Sequence, residues 1–163
     1  CNASNACGLW IVSLDTKKTN FLVNYGNFPA WYSNMEILYQ TRIVQSNGHV
    51  LGDSLWIYNL GSGQKRPLTA LMGNNYSNNY FKYSINSKIA FTSQPQSNVP
   101  QIWVMNADGT GLKQLTHTGG YTCDWSPDGN YIVYTDSRAV NGRLWIMNSD
   151  GTNKHQLTFE ENF

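Results

Sequence analysis

Three histidines, ten acidic residues and three cysteines are the groups from which this chain would have to build a reaction centre. His49, His117 and His155 have serines and acids around them, but the Gly-x-Ser-x-Gly elbow that presents a nucleophilic serine is absent. Gly61-Ser62-Gly63 reads instead as a hairpin turn. Cys1, Cys7 and Cys123 lack the paired spacing of a zinc site. Asp108-Gly109 and Asp150-Gly151 offer one carboxylate per loop, whereas calcium takes about six to eight oxygens. Glu36 precedes a strand and Glu160 and Glu161 lie in a tail, so no carboxylate pair for glycoside chemistry stands out. These residues therefore imply a non-enzymatic protein with no metal and no cofactor.

The cysteines carry other chemistry. In an oxidising compartment three of them imply one disulfide and one remaining thiol. Cys1 and Cys7 can close a small loop. Cys123, two residues before Trp125, is either a buried small apolar residue or a cysteine for a bridge between subunits. A chain that starts on cysteine rather than methionine reads as the mature part of an exported protein, with a lipid-bearing Cys1 and a fragment of a longer chain as alternatives. Asn2-Ala3-Ser4 and Asn75-Tyr76-Ser77 match the glycan acceptor pattern, making Asn2 and Asn75 candidate acceptors.

What positions all these groups is a repeat. Leu144-Trp145-Ile146-Met147-Asn148-Ser149-Asp150-Gly151-Thr152 repeats Ile102-Trp103-Val104-Met105-Asn106-Ala107-Asp108-Gly109-Thr110, and each runs on to Gln-Leu-Thr. Leu55-Trp56-Ile57-Tyr58-Asn59 and Leu9-Trp10-Ile11-Val12 are earlier copies. A strand apolar at every position is one with sheets on both sides. Asn-x-Asp-Gly-Thr supplies short side chains that bond their own backbone and a glycine that tolerates positive φ, which makes the turn. Trp125-Ser126-Pro127-Asp128-Gly129 before Tyr131-Ile132-Val133-Tyr134 makes a second hairpin, echoed at Trp31-Tyr32-Ser33-Asn34 and Tyr83-Ser84-Ile85-Asn86. Copies 42 to 47 residues apart have the period of propeller blades.

On these motifs the chain resembles the TolB-type β-propeller repeat, strongly from Ile102 to Thr158 and more weakly before it. The resemblance implies an all-β fold of blades with four antiparallel strands. In that family such repeats occur in periplasmic TolB, in propellers attached to serine peptidases and in many secreted proteins, so one scaffold serves many tasks. No catalytic residue carries over.

In blade terms, residues 1–8, with Cys1 and Cys7, form an N-terminal segment, and residues 9–163 one propeller-type domain. That domain holds a half-blade over 9–23 and blades over 28–69, 80–116 and 121–158. About three and a half blades leave the ring open or completed by oligomerisation, because propellers close at about four to eight blades. Leu9, Trp10, Ile11, Trp145 and Met147 are the candidate assembly faces. The long segment from Arg42 to Ser54, with Gly48 and Gly52, is expected to be a mobile loop able to carry binding. The six tryptophans, Trp10, Trp31, Trp56, Trp103, Trp125 and Trp145, read as core between blades, while Tyr76, Tyr80 and Tyr121 near loops suit a glycan or protein surface.

Composition narrows the partners. Charged residues make up 13% of the chain and the net charge is +1, against roughly 25% charged in average domains. There is no basic stripe for nucleic acid. Nor is there an apolar run of the roughly 20 residues needed to span a bilayer. Twenty asparagines and ten tyrosines make a polar, nearly neutral surface on which little long-range repulsion keeps copies apart. The sequence thus points to a secreted, extracellular or cell-surface subunit whose partner is another copy of itself, forming a filament or a closed dimer. The alternative is a periplasmic or surface module that binds an envelope protein or a glycan.

Overall fold

The computed structural model describes residues 8–44, 46–47, 50–68, 77–94, 99–136 and 142–159. The chain divides into two compact units, Cys1–Asn74 and Asn75–Phe163. Among the described residues every regular element is a strand, and no helix is long and apolar enough to cross a membrane.

The first unit contains a two-stranded antiparallel sheet, Gly8–Val12 (β1) with Thr19–Asn24 (β2). It also contains a four-stranded sheet in the order Gly26–Ser33 (β3), Glu36–Val44 (β4), Val50–Asn59 (β5) and Lys65–Pro67 (β6). Leu9 and Val23 are paired across β1 and β2 and form a small core with Tyr39, against which Leu22, Trp56 and Tyr58 pack. Gly26 has no room for a side chain, since a Cβ there would lie 2.7 Å from Leu9 Cγ. The β4–β5 ladder continues through Arg42↔Asp53, Ile43↔Gly52 and Val44↔Val50. The segment expected as a mobile loop from Arg42 to Ser54 is therefore mostly hairpin. Across it Arg42 Nε sits 3.6 Å from the buried Asp53 carboxylate.

The second unit contains two four-stranded sheets. One is Ser77–Tyr83 (β7), Lys88–Gln94 (β8), Gln101–Asn106 (β9) and Lys113–Gln114 (β10). The other is Cys123–Trp125 (β11), Tyr131–Thr135 (β12), Leu144–Asn148 (β13) and His155–Gln156 (β14). In both, each strand pairs with its neighbours in sequence. Their shared core joins Ala90, Ile102, Val104 and Leu115 of the first sheet and its outer edge to Cys123, Ile132, Tyr134 and Met147 of the second, with Trp125 and Trp145 packed against it. One two-stranded and three four-stranded sheets make up the described fold.

Candidate functional site

The acidic residues that might have carried chemistry are committed to turns. Thr110 donates its amide at 2.9 Å and its hydroxyl at 2.7 Å to Asp108 Oδ1. Thr152 repeats this on Asp150 at 2.9 and 2.6 Å. Asp128 accepts the Ser126 hydroxyl at 2.6 Å and the Asn130 amide at 3.0 Å. Hydrogen bonds from these side chains, then from the backbone, hold all three carboxyls below their ordinary value. Gly109 and Gly151 close the turns at φ 89° and 88°, a region that costs other residues about 1–2 kcal/mol. At Gly61-Ser62-Gly63 it is Asn59 Oδ1 that accepts, from the Gly61 and Ser62 amides and the Ser62 hydroxyl.

Other candidates are scattered. Glu36 sits 3.6 Å from Arg66 Nη2. His117 Nδ1 meets Gln114 Nε2 at 3.1 Å, and His155 Nδ1 meets the Asn153 carbonyl at 3.1 Å. Cys123 is buried in the core of the second unit, and burial first, then the charge of Asp124 against that of Lys82, pushes its thiol up to about 12. Cys1, Cys7, Asn2, Asn75, His49, Tyr76, Glu160 and Glu161 lie outside the described residues.

Exposed apolar residues lie in turns, as Leu14 and Ile85 do, and on sheet surface, as Trp10, Val12 and Tyr131 do. Opposed residues of an antiparallel pair share a face, so the register assigns every side chain of the last sheet. Cys123↔Tyr134↔Trp145 and Trp125↔Ile132↔Met147 form the face turned to the β7–β10 sheet. Asp124↔Val133↔Ile146 and Thr135↔Leu144 form the opposite face, with Tyr131. Met147 is 1% exposed. The opposite face of this sheet is therefore carried by the exposed Tyr131 and the half-buried Val133, Leu144 and Ile146, and Met147 and the half-buried Trp145 lie on the other, because the side-chain period of two sends neighbours in Leu-Trp-Ile-Met to opposite sides.

The preceding sheet shows what such a face is for. Ile102, Val104, Ala90 and Leu115 occupy the repeat positions of Leu144, Ile146, Val133 and Leu157. In the β7–β10 sheet they are buried beneath the next sheet, Leu115 at 3% exposure, whereas Leu157 is 43% exposed. Local bonding is the same in both copies: the Ile102 amide donates to Thr116 Oγ1 at 2.9 Å and the Leu144 amide to Thr158 Oγ1 at 2.8 Å.

The two-stranded β1–β2 sheet of the first unit also has an exposed apolar side. Leu9 is buried and Ile11 lies on its face, two positions along β1, so neither heads an open surface. Trp10, Val12 and Phe21 are 55%, 51% and 38% exposed. Trp10 and Phe21 are paired across the strands in edge-to-face contact, ring centroids 4.9 Å apart. By repeat position Trp10 and Val12 correspond to Trp145 and Met147, the residues that the last sheet turns to the sheet before it.

In the second unit lies a hollow of about 340 Å³ lined by Lys82 of β7 and by Thr122, Cys123, Asp124, Val133, Tyr134, Thr135 and Leu144. Lys82 Nζ is 3.0 Å from Asp124 Oδ2, both solvent-exposed. Trp125 is fixed beside it by its indole N–H donating to the Lys82 carbonyl at 3.0 Å.

Sheets of this kind, in this order, are those of β-propellers. TolB from Acinetobacter baumannii is similar at a TM-score of 0.71 and 19% identity, over 94% of this chain and 38% of its own. The nidogen/laminin complex matches at 0.65 and 15% identity, over 89% of this chain and 53% of the other. The β-propeller domain of the trilobed protease from Pyrococcus furiosus, which has an open velcro topology, matches at 0.59 and 16%, over 82% and 43%. No protein-family model and no curated protein matches the sequence. The chain has a TolB-like β-propeller fold, and it spans about half or less of the length of these solved chains. Peptidases are among the propellers it resembles.

Proposed function

We propose that the chain is a non-enzymatic propeller module that works through protein contacts, and that its partner is another copy of itself. It serves as a secreted subunit, extracellular or on the cell surface, that self-assembles into a structural filament. One observation carries this reading: Leu157 of the last sheet is 43% exposed where its repeat equivalent Leu115 is buried between sheets, and Trp10 and Val12 of the β1–β2 sheet are 55% and 51% exposed. Exposed apolar patches of this kind mark interaction sites.

Light scattering coupled to size exclusion tests it, with and without reductant. The expected result is a mass well above the 18.4 kDa of one chain. A monomer at all concentrations overturns the reading. Collapse of the large species on reduction would assign the junction a bridge through Cys1 or Cys7, since Cys123 is buried. The hollow beside Lys82 and Asp124 favours a second reading, a periplasmic or surface module that binds a protein or a glycan. Such a module runs as a discrete species.

A further inference from the structure

We infer that the thioether of Met35 is a site of reversible oxidation, which takes one oxygen atom from a peroxide while the fold stays intact. Met35 stands in the turn between β3 and β4 and is 52% exposed, whereas Met105 and Met147 are each 1% exposed. Its backbone is held on both sides: the amide donates to Ser33 Oγ at 3.3 Å, and the carbonyl accepts the Leu60 amide at 2.8 Å. Its methyl lies near Gly61, where a Cβ would stand 3.3 Å from Met35 Cε. The turn is thus fixed through the main chain of Met35, and the side chain extends from it into water.

The exposure belongs to the position in the repeat. The bond from Leu60 to Met35 recurs as the Ala107 amide donating to the Ser87 carbonyl at 2.9 Å and the Ser149 amide donating to the Asn130 carbonyl at 2.8 Å, so Met35, Ser87 and Asn130 are equivalent. Ser87 and Asn130 are exposed as well. Ser87 belongs to a sheet covered on one face by the sheet after it, and Asn130 to a sheet covered on one face by the sheet before it. Neither neighbour closes this site, because sheets cover one another across their faces and the turns stand at their ends.

In the reaction the sulfur lone pair attacks one oxygen of hydrogen peroxide. An S–O bond forms and the O–O bond breaks; the departing hydroxide takes the proton of the transferred oxygen and leaves as water. Sulfur loses two electrons and the peroxide gains them. The sulfoxide is polar, and at Met35 water solvates it. Met105 and Met147 lie opposite Ile89 and Ile132 in their ladders and are buried. There the same oxygen would be a polar group taken out of water, and peroxide reaches the sulfur only when the structure opens. Sulfoxide reductases restore methionine, so a sulfoxide held at the surface is the one that is readily reversed.

Peroxide treatment of the whole native chain tests the inference. Trypsin cuts after Arg42, Lys82 and Lys113, so the four methionines fall in separate peptides, and the mass of each peptide reports its own oxidation. Met35 is expected to gain one oxygen at least about tenfold faster than Met105 and Met147, the gap that a need for opening imposes. In concentrated urea the three rates converge. The two epimer-specific methionine sulfoxide reductases together then return the Met35 peptide to its first mass, and the chain oxidised at Met35 keeps the urea midpoint of the untreated chain. Met105 or Met147 oxidising as fast as Met35 in the native chain overturns the inference. So does a Met35 sulfoxide that the reductases leave unchanged or that lowers the midpoint.

Discussion

Gly151 and Leu115 give a quantitative check on the contact that serves as template for the exposed faces. A Cβ added to Gly151 would lie 2.9 Å from Leu115 Cδ2, and the residue has φ 88°. Gly151→Ala therefore carries two costs: about 1–2 kcal/mol for a side chain in the left-handed region, and about 1–3 kcal/mol for crowding a packed side chain. Leu115 is 3% exposed and sits in the core of the second unit, so Leu115→Ala alone costs about 2–5 kcal/mol. In the double variant the crowding disappears and the backbone cost stays. The two substitutions together are then less destabilising than their sum by about 1 kcal/mol or more, a coupling within the range that contacting residues show. Urea denaturation of the four chains, compared at a common slope, gives this number. Additivity within about 0.3–0.5 kcal/mol is what independent sites give, and that result would refute the contact between the Asp-Gly turn of one sheet and the outer edge of the sheet before it.

Acid should loosen the turns. The carboxyls of Asp108, Asp128 and Asp150 lie below the ordinary 3.8 when folded, so the stability they lend is complete above that value and is lost as pH falls through the lowered folded values. Thr110→Val with Thr152→Val removes the leading cause at two of them, and the urea midpoint should then change less between pH 5 and strongly acid solution; an unaltered acid dependence would contradict the assignment. Cys123 should resist thiol reagents in the native chain at pH 8. With its thiol pushed up to about 12, roughly one part in ten thousand is thiolate at that pH. A variant with Cys1 and Cys7 replaced by serine isolates its rate, and labelling as fast as in denaturant would show that the core around it is open.

The strands were legible because the repeat writes them out. Leu-Trp-Ile-Met and its relatives locate β1, β5, β9 and β13, and Asn-x-Asp-Gly-Thr places the turns after β9 and β13 with the hydrogen bonds that such residues make. Which side of the strand faces which neighbour was not legible. Alternation of apolar and polar residues is what reveals a face, and a strand apolar at every position hides that Trp145 and Met147 pack toward the sheet before while Leu144 and Ile146 take the opposite face. Register supplied the answer. The segment from Arg42 to Ser54 misled for a different reason: its glycines suggested a loop, but Gly52 lies opposite Ile43 inside the ladder, and Arg42 faces Asp53 across it. Pairing across the hairpin outweighs local turn preference at Gly52. The hollow by Lys82 and Asp124 joins equivalent positions of adjacent repeats, 42 residues apart, but the repeat pattern does not show that a cavity lies between them.

The neighbour-to-neighbour pairing within each sheet also governs how the chain is made. Every ladder joins strands adjacent in sequence, so a sheet needs nothing synthesised later in order to form, and contacts this local are quick to find. Chains are produced from the N-terminus at about 5–20 residues per second. Each sheet can therefore be complete while its successor is still being translated. In the second unit the following-side face of the β7–β10 sheet, Leu115 included, then stands bare on the ribosome until Trp145 and Met147 arrive to cover it.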